Sequence, residues 1–276
     1  MKEFLLTDSD FKEVAHLVYN ACGIVLGEHK REMVYSRLAR RIRERKLTNF
    51  SSYLDYLKNH KDQEFDAFIN AITTNLTSFF REMHHFEFIK DQLIPTLLKT
   101  NKQTKRVRIW SAGCSTGEEP YSLAMTLQGA FPSDWDVKIL ATDLDSNVLA
   151  KAQSGIYTAA NVNGLDDALL KRWFLTSKDG QSYKVKPKLQ QCISFKRLNL
   201  LQDWPMKGPF DLILCRNVVI YFDKETKDQL FNRYADILND QGYLFLGHSE
   251  TMGKEHVLFK NLGKTMYQKV AHANTI

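Results

Sequence analysis

No stretch of this sequence approaches about 18 consecutive apolar residues, so no membrane span is expected. Cysteine is scarce. Cys22, Cys114, Cys192 and Cys215 are scattered and form no C-x-x-C pair. That excludes a disulfide framework and a zinc spacing, and reduced thiols in a cytosol are expected. Glycine (13) and proline (6) are too few for a collagen-like or low-complexity chain. The opening Met1-Lys2-Glu3-Phe4 starts no apolar run, so no signal peptide and a cytoplasmic location are expected. Charge of one sign is only mildly in excess: 38 Lys and Arg against 32 Asp and Glu give +6. That balance permits an acidic partner without identifying one.

The 276 residues carry 43% hydrophobic and 25% charged side chains, an ordinary globular composition. The length suggests two domains or one large one. The first 70 residues show only helical periodicity. Asp10 with Glu13 resembles a capping box, Phe11, Val14, Leu17 and Val18 follow at helical spacing, and Gly23 stops that helix. Lys30 to Lys46 reads as a second helix, Ser51 or Ser52 caps a third, and Asp62 a fourth. From about residue 104 short apolar runs appear at Val107–Trp110, Val137–Ala141, Phe210–Cys215 and Tyr243–Leu246, with helical patterns between them. That alternation predicts an α/β fold with a doubly wound parallel sheet. Tyr183 to Leu200 reads as a small β excursion within it.

The turn Ser111-Ala112-Gly113-Cys114-Ser115-Thr116-Gly117 leaves a strand and opens a helix, where such sheets bind ligands. Its spacing is not G-x-G-x-x-G, so the dinucleotide fingerprint fails. Glu118 and Glu119 follow at once. Two carboxylates there oppose a pyrophosphate and suit a cationic ligand such as S-adenosylmethionine; they also simply complement the helix dipole. Asp143 ends the second strand, where a carboxylate can accept from both ribose hydroxyls. Together these features point to an adenosine-containing ligand and leave methyl transfer and hydride transfer both open.

Five blocks carry more. Thr73-Thr74-Asn75-Leu76-Thr77-Ser78-Phe79-Phe80-Arg81-Glu82, Ser111 to Tyr121, Ala141 to Asp145, Cys215-Arg216-Asn217-Val218-Val219-Ile220-Tyr221-Phe222 and Gly247-His248-Ser249-Glu250, in this order, resemble the CheR-type chemotaxis receptor methyltransferases. The resemblance covers nearly the whole chain. It implies a helical receptor-docking domain over 1–72 and a methyltransferase domain over 73–276, with a β-subdomain inserted at about 176–200. It implies methyl transfer from S-adenosylmethionine to glutamate side chains on the cytoplasmic helices of transmembrane chemoreceptors, leaving S-adenosylhomocysteine. By motif, Asn75, Thr77 and Arg81 lie over the cofactor, Gly113 and Glu118 belong to the turn beside it, and Asp143 holds the ribose. Asn199 and Leu200 flank the adenine, and Arg216 and Asn217 complete the pocket. Arg81 and Tyr221 stand closest to the transferred methyl. Apart from the motif, Tyr221 reads as a core aromatic beside Phe222.

The predicted second helix carries eight cations against Glu32 and Glu44, a surplus of six. Arg37, Arg40, Arg41 and Arg45 share a face. That face is a solvated surface, a nucleic-acid contact or an acidic protein contact; the resemblance supplies glutamate-rich receptor helices and ranks that reading first. A pentapeptide tether at the receptor C-terminus goes with a Gly-containing insertion that the short loop Thr176 to Ser182 lacks, so tight tethering is not expected. No metal site is expected: adjacent His84 and His85 diverge by about 100° on a helix and read as packing residues. Cys114 and Cys215 read as buried thiols. Competing readings are an RNA methyltransferase, a non-catalytic adaptor and an NAD-dependent enzyme.

Overall fold

A computed structural model describes residues 3–253 and 256–270, and by internal contacts the chain divides into two compact units. The first comprises residues 1–74 with 221–226, the second 75–220 with 227–276.

The first unit is helical: α1 (Asp8–Cys22), α2 (Arg31–Glu44), α3 (Phe50–Asn59) and α4 (Lys61–Ile72). The capping box of α1 sits three residues earlier than its sequence suggests, at Thr7 and Asp10. The Thr7 hydroxyl accepts from the Asp10 N–H at 3.1 Å, and the Asp10 carboxylate accepts from the Thr7 N–H at 3.0 Å. Gly23, at φ 70°, closes the helix in the left-handed region. Likewise Asn49 caps α3, and Ser52 is its reciprocal partner rather than the cap. Val34, Leu38, Ala39 and Ile42 bury the apolar side of α2.

In the second unit, α5 (His84–Phe88) runs through a π-turn at Ile89–Leu93 into α6 (Ile94–Thr100). There follow β1 (Arg106–Ala112), α7 (Glu118–Leu127), β2 (Asp136–Asp143), α8 (Ser146–Ser154), β3 (Ile156–Thr158), α9 (Ala159–Val162), α10 (Asp167–Trp173), β4 (Phe174–Thr176), β5 (Ser182–Val185), α11 (Pro187–Gln190), β6 (Ile193–Arg197), β7 (Phe210–Cys215), α12 (Lys224–Ile237), β8 (Leu238–Leu246), β9 (Phe259–Gly263) and β10 (Met266–Lys269). The first three residues of α12 cluster with the first unit. The main sheet has the order β6-β2-β1-β7-β8-β10-β9; its first five strands pair in parallel and the last two close it as an antiparallel hairpin. Every residue of β7 is buried, as a central parallel strand with both faces covered requires.

The small β-subdomain differs from its expected extent. Its three strands are β3, β5 and β4, drawn from 156–158, 182–185 and 174–176. Ile193–Arg197 instead pairs in parallel with Ile139–Asp143 and forms the main-sheet edge. Its short run Cys192-Ile193-Ser194-Phe195 looked like a hairpin arm because the partner strand lies some fifty residues back. Among the described residues no helix is long and apolar enough to cross a membrane.

Candidate functional site

The parallel strands point their carboxyl ends at one rim of the sheet, where β1, β2 and β7 end in turns. After β1, the N–H groups of Gly113 and Cys114 both donate to the Thr142 carbonyl at 2.8 Å. Gly113 (φ 104°) and Gly117 (φ 96°) take left-handed backbone. A Cβ at Gly113 would stand 2.4 Å from Val218 Cγ2, and one at Gly117 2.8 Å from the Ala152 Cβ. Both positions therefore demand glycine. The turn is bound to the next strand through Asp143. One Asp143 oxygen accepts from the Ser115 N–H at 2.8 Å and the other from the Asp145 N–H at 3.0 Å. Burial pushes the Asp143 carboxyl up to about 6 against these bonds, which favour the charged form.

Asn75 belongs to the same cluster. Its carbonyl accepts from the Ser115 hydroxyl at 2.8 Å, and its amide donates to Asp145 at 2.8 Å. Thr77 is half-buried nearby in sequence. Arg81 is half-buried too, and its guanidinium donates to the Leu76 carbonyl at 2.9 Å. Glu118 is buried at the first turn of α7 and accepts from the Thr116 hydroxyl at 2.6 Å; burial raises its pKa. The Leu198 N–H donates to the Asp143 carbonyl at 3.0 Å, so the Asn199-Leu200 segment leaves β6 in register with the end of β2. The Asn199 side chain accepts from the Leu201 N–H at 3.0 Å, and Leu200 is buried.

The loop after β7 is governed by two groups to which the sequence assigned other roles or none. Arg216 is buried and points inward. One guanidinium nitrogen donates to Glu119 at 3.1 Å; another donates to the Arg81 carbonyl. Arg216 thereby fixes the backbone of Arg81 from beneath. Glu119 also accepts from the Ser111 hydroxyl at 2.6 Å, so it braces the end of β1 rather than only the helix dipole. Asn217 takes φ 58°. Its N–H donates to Glu250, which also accepts from Gly247 (2.6 Å) and Ile220 (3.1 Å). No short-range signal marks Glu250 as this clamp, because two of its three partners, Ile220 and Asn217, lie 30 and 33 residues away. Tyr221 lies in the short turn Val219–Tyr221, clusters with the first unit, and its carbonyl accepts from the Val25 N–H at 2.8 Å.

The carboxyl-end rim holds an obligatory glycine turn, a half-buried strand-end carboxylate and a buried carboxylate at the start of α7. That donor set fits a cationic adenosyl ligand. Residues 75–268 match the family described as "CheR methyltransferase, SAM binding domain", and 9–73 match "CheR methyltransferase, all-alpha domain". The chain belongs to the CheR methyltransferase family. Its enzymatic class is S-adenosylmethionine-dependent methyl transfer. The relatives agree. A chemotaxis protein methyltransferase of Escherichia coli (strain K12) is 43% identical over 269 residues, 95% of this chain and 91% of that protein. Chemotaxis protein methyltransferase 2 of Pseudomonas aeruginosa is 42% identical over 271 residues, 96% and 95% of the two chains. The Borreliella burgdorferi chemotaxis protein methyltransferase is 38% identical over 254 residues, 90% and 89%.

The predicted docking arginines of α2 divide sharply. Arg41 and Arg45 converge on Glu64, at 2.7 and 2.6 Å, and the Glu64 side chain is fully buried. The Tyr53 hydroxyl donates to the same carboxylate at 2.9 Å. Arg37 donates to the Ile72 carbonyl at 2.6 Å and to the Thr74 hydroxyl at 3.1 Å, holding the end of α4. Only Arg40 is largely exposed, its side chain 78% accessible, with Glu44 beside it at 2.9 Å.

Proposed function

We propose that this CheR-family chain methylates glutamate side chains on the cytoplasmic helices of chemoreceptors, acting from the cytosol. The observation that carries the site is the half-buried Asp143 carboxylate tied to the Gly113–Gly117 turn. S-adenosylmethionine supplies a methyl group already activated on a sulfonium. The acceptor glutamate is ionised near pH 7, so no strong general base is needed. What this chain's residues must do is align and desolvate. Asp143 holds the ribose hydroxyls, Asn199 and Leu200 border the adenine, and Asn75, Thr77, Glu118 and Asn217 shape the remaining wall. Arg81 clamps the incoming carboxylate through its fork of donors and keeps it ionised. Arg216 acts through Arg81 as a positioning residue. The test is tritiated S-adenosylmethionine with chemoreceptor membranes. Base-labile methanol from labelled receptor supports the reading; label stable to base, or on RNA, overturns it.

In Arg81→Ala, turnover should fall at least tenfold while S-adenosylhomocysteine affinity changes less than threefold, read by methylation kinetics and calorimetry. A rate equal to that of the parent protein removes Arg81 from the active site. For receptor docking, Arg40 is the informative residue, because its charge is not absorbed by a buried partner. Arg40→Glu should lower receptor methylation several-fold at low salt and less at high salt, with cofactor binding unchanged. Equal rates at low salt refute the docking role.

The loop between β4 and β5 is tight: the Ser177 N–H donates to the Ser182 carbonyl at 2.9 Å, and Gly180 at φ 69° turns the chain back. Only residues 177–181 lie between the two strands. A free receptor C-terminal pentapeptide should therefore bind weakly, and calorimetry showing submicromolar affinity would contradict that.

A further inference from the structure

His84 and His85 were expected to diverge, yet their ring centroids lie 4.2 Å apart. They open α5 two residues after Glu82, whose φ of 58° turns the chain, and both rings face the same acceptor. The Nε2 atoms stand 3.3 and 3.1 Å from the Lys264 carbonyl. One ligand atom from each of Glu82, His84 and His85 falls within 4.8 Å of the others.

Two atoms of this cluster are buried without a hydrogen-bond partner: Glu82 Oε2 and His85 Nδ1, 3.6 Å apart. The His85 side chain is fully buried. Its Nε2 faces a carbonyl, which can only accept, so Nε2 carries the proton and Nδ1 presents its lone pair. The neutral imidazole is the form that ligates a metal. A lone pair thus faces a carboxylate oxygen, and neither satisfies the other. A cation between them satisfies both. The outer contacts already have the form that metal ligands take: an imidazole N–H on a carbonyl, and a carboxylate whose second oxygen is held. Glu82 Oε1 accepts from the His248 N–H at 3.2 Å, with His248 Nδ1 also at 3.2 Å.

The opposing charge is Arg216, 3.6 Å from Glu82 Oε2. Glu119 engages the same guanidinium at 3.1 Å, so two carboxylates share one cation. We propose that Glu82, His84 and His85 form a binding site for one zinc-class divalent transition metal, with water in the fourth position. A tetrahedral ion with bonds of about 2.1 Å needs ligand atoms about 3.4 Å apart, within reach of small side-chain rotations. This inference is independent of methyl transfer.

The test uses the full, untagged protein, stripped with chelator and titrated with Co2+ and then Zn2+. The expected result is one equivalent of Co2+ with d–d absorption of a low-coordinate nitrogen–oxygen site, displaced by Zn2+. His84→Gln, at a half-buried position, should weaken binding at least tenfold, and Glu82→Gln at least as much. Melting temperatures of both metal-free variants establish that they fold. No binding tighter than about 100 µM overturns the proposal, as does binding by folded His84→Gln and Glu82→Gln proteins equal to that of the parent, which assigns the ion to other surface histidines.

Discussion

Asp143→Ala should weaken S-adenosylhomocysteine binding by roughly 10²- to 10⁴-fold, because two charge-assisted hydrogen bonds, each about 1.5–3 kcal/mol, are lost together. Calorimetry reads this directly, and a loss under threefold removes Asp143 from the cofactor site. The same residue fixes a pH dependence. Its carboxyl titrates at about 6 in the free protein, and the form that accepts two hydroxyl protons is the ionised one. Affinity should be flat above that pH and fall about tenfold per unit below it. Stability should move the other way. The folded pKa lies above the ordinary 3.8, so the folded chain binds more protons between those values. The stabilising contribution is complete below about pH 4 and is lost as pH rises through 6. At neutral pH the partly desolvated charge costs a few kcal/mol at most. Asp143→Asn should therefore raise the melting temperature of the free protein by several degrees at pH 7.5 and hardly at all at pH 4. A lower melting temperature at pH 7.5 would mean that the carboxylate's bonds to Ser115 and Asp145 outweigh its desolvation.

Glu64→Ala should cost about 3 kcal/mol in the helical unit, because it leaves Arg41 with only Glu44 and removes the partner of Arg45 and of the buried Tyr53 hydroxyl. Far-UV circular dichroism against urea would show early loss of helix. A shift under 1 kcal/mol would mean that water replaces the carboxylate without penalty. The same contacts change how charge reversals in α2 must be interpreted. Arg41→Glu places two acids together and should unfold the unit before any question of docking arises. Arg40, with only Glu44 beside it, separates the two effects.

The sequence conveyed what depends on short range. Helix α1 and its Gly23 stop, β7 at Phe210–Cys215 and the turn at Gly113–Gly117 all follow from periodicity and from local backbone needs. What stayed hidden depends on distant partners. The Arg run of α2 gave no hint that a single glutamate twenty residues on would gather Arg41 and Arg45. The hairpin β9–β10 escaped because Phe259–Gly263 alternates weakly and is mostly exposed. Ile193–Arg197 has the same pattern whether it pairs with a hairpin arm or with β2, and only the register with Ile139–Asp143 decides. At the rim, Asp143 was visible from its place at a strand end. Glu250, Glu119 and the inward turn of Arg216 were not, since each is defined by what it holds.

The Glu250 clamp limits what this enzyme can vary. Three N–H groups from Gly247, Asn217 and Ile220 meet one side chain, and Gly247 stands where a Cβ would come within 2.6 Å of the Asn217 amide nitrogen. The segment from Arg216 to Ile220 has no strand neighbour to index it, so the carboxylate measures its length. Side chains there can be exchanged, but a residue added or removed between Cys215 and Ile220 would leave one of those N–H groups pointing at nothing.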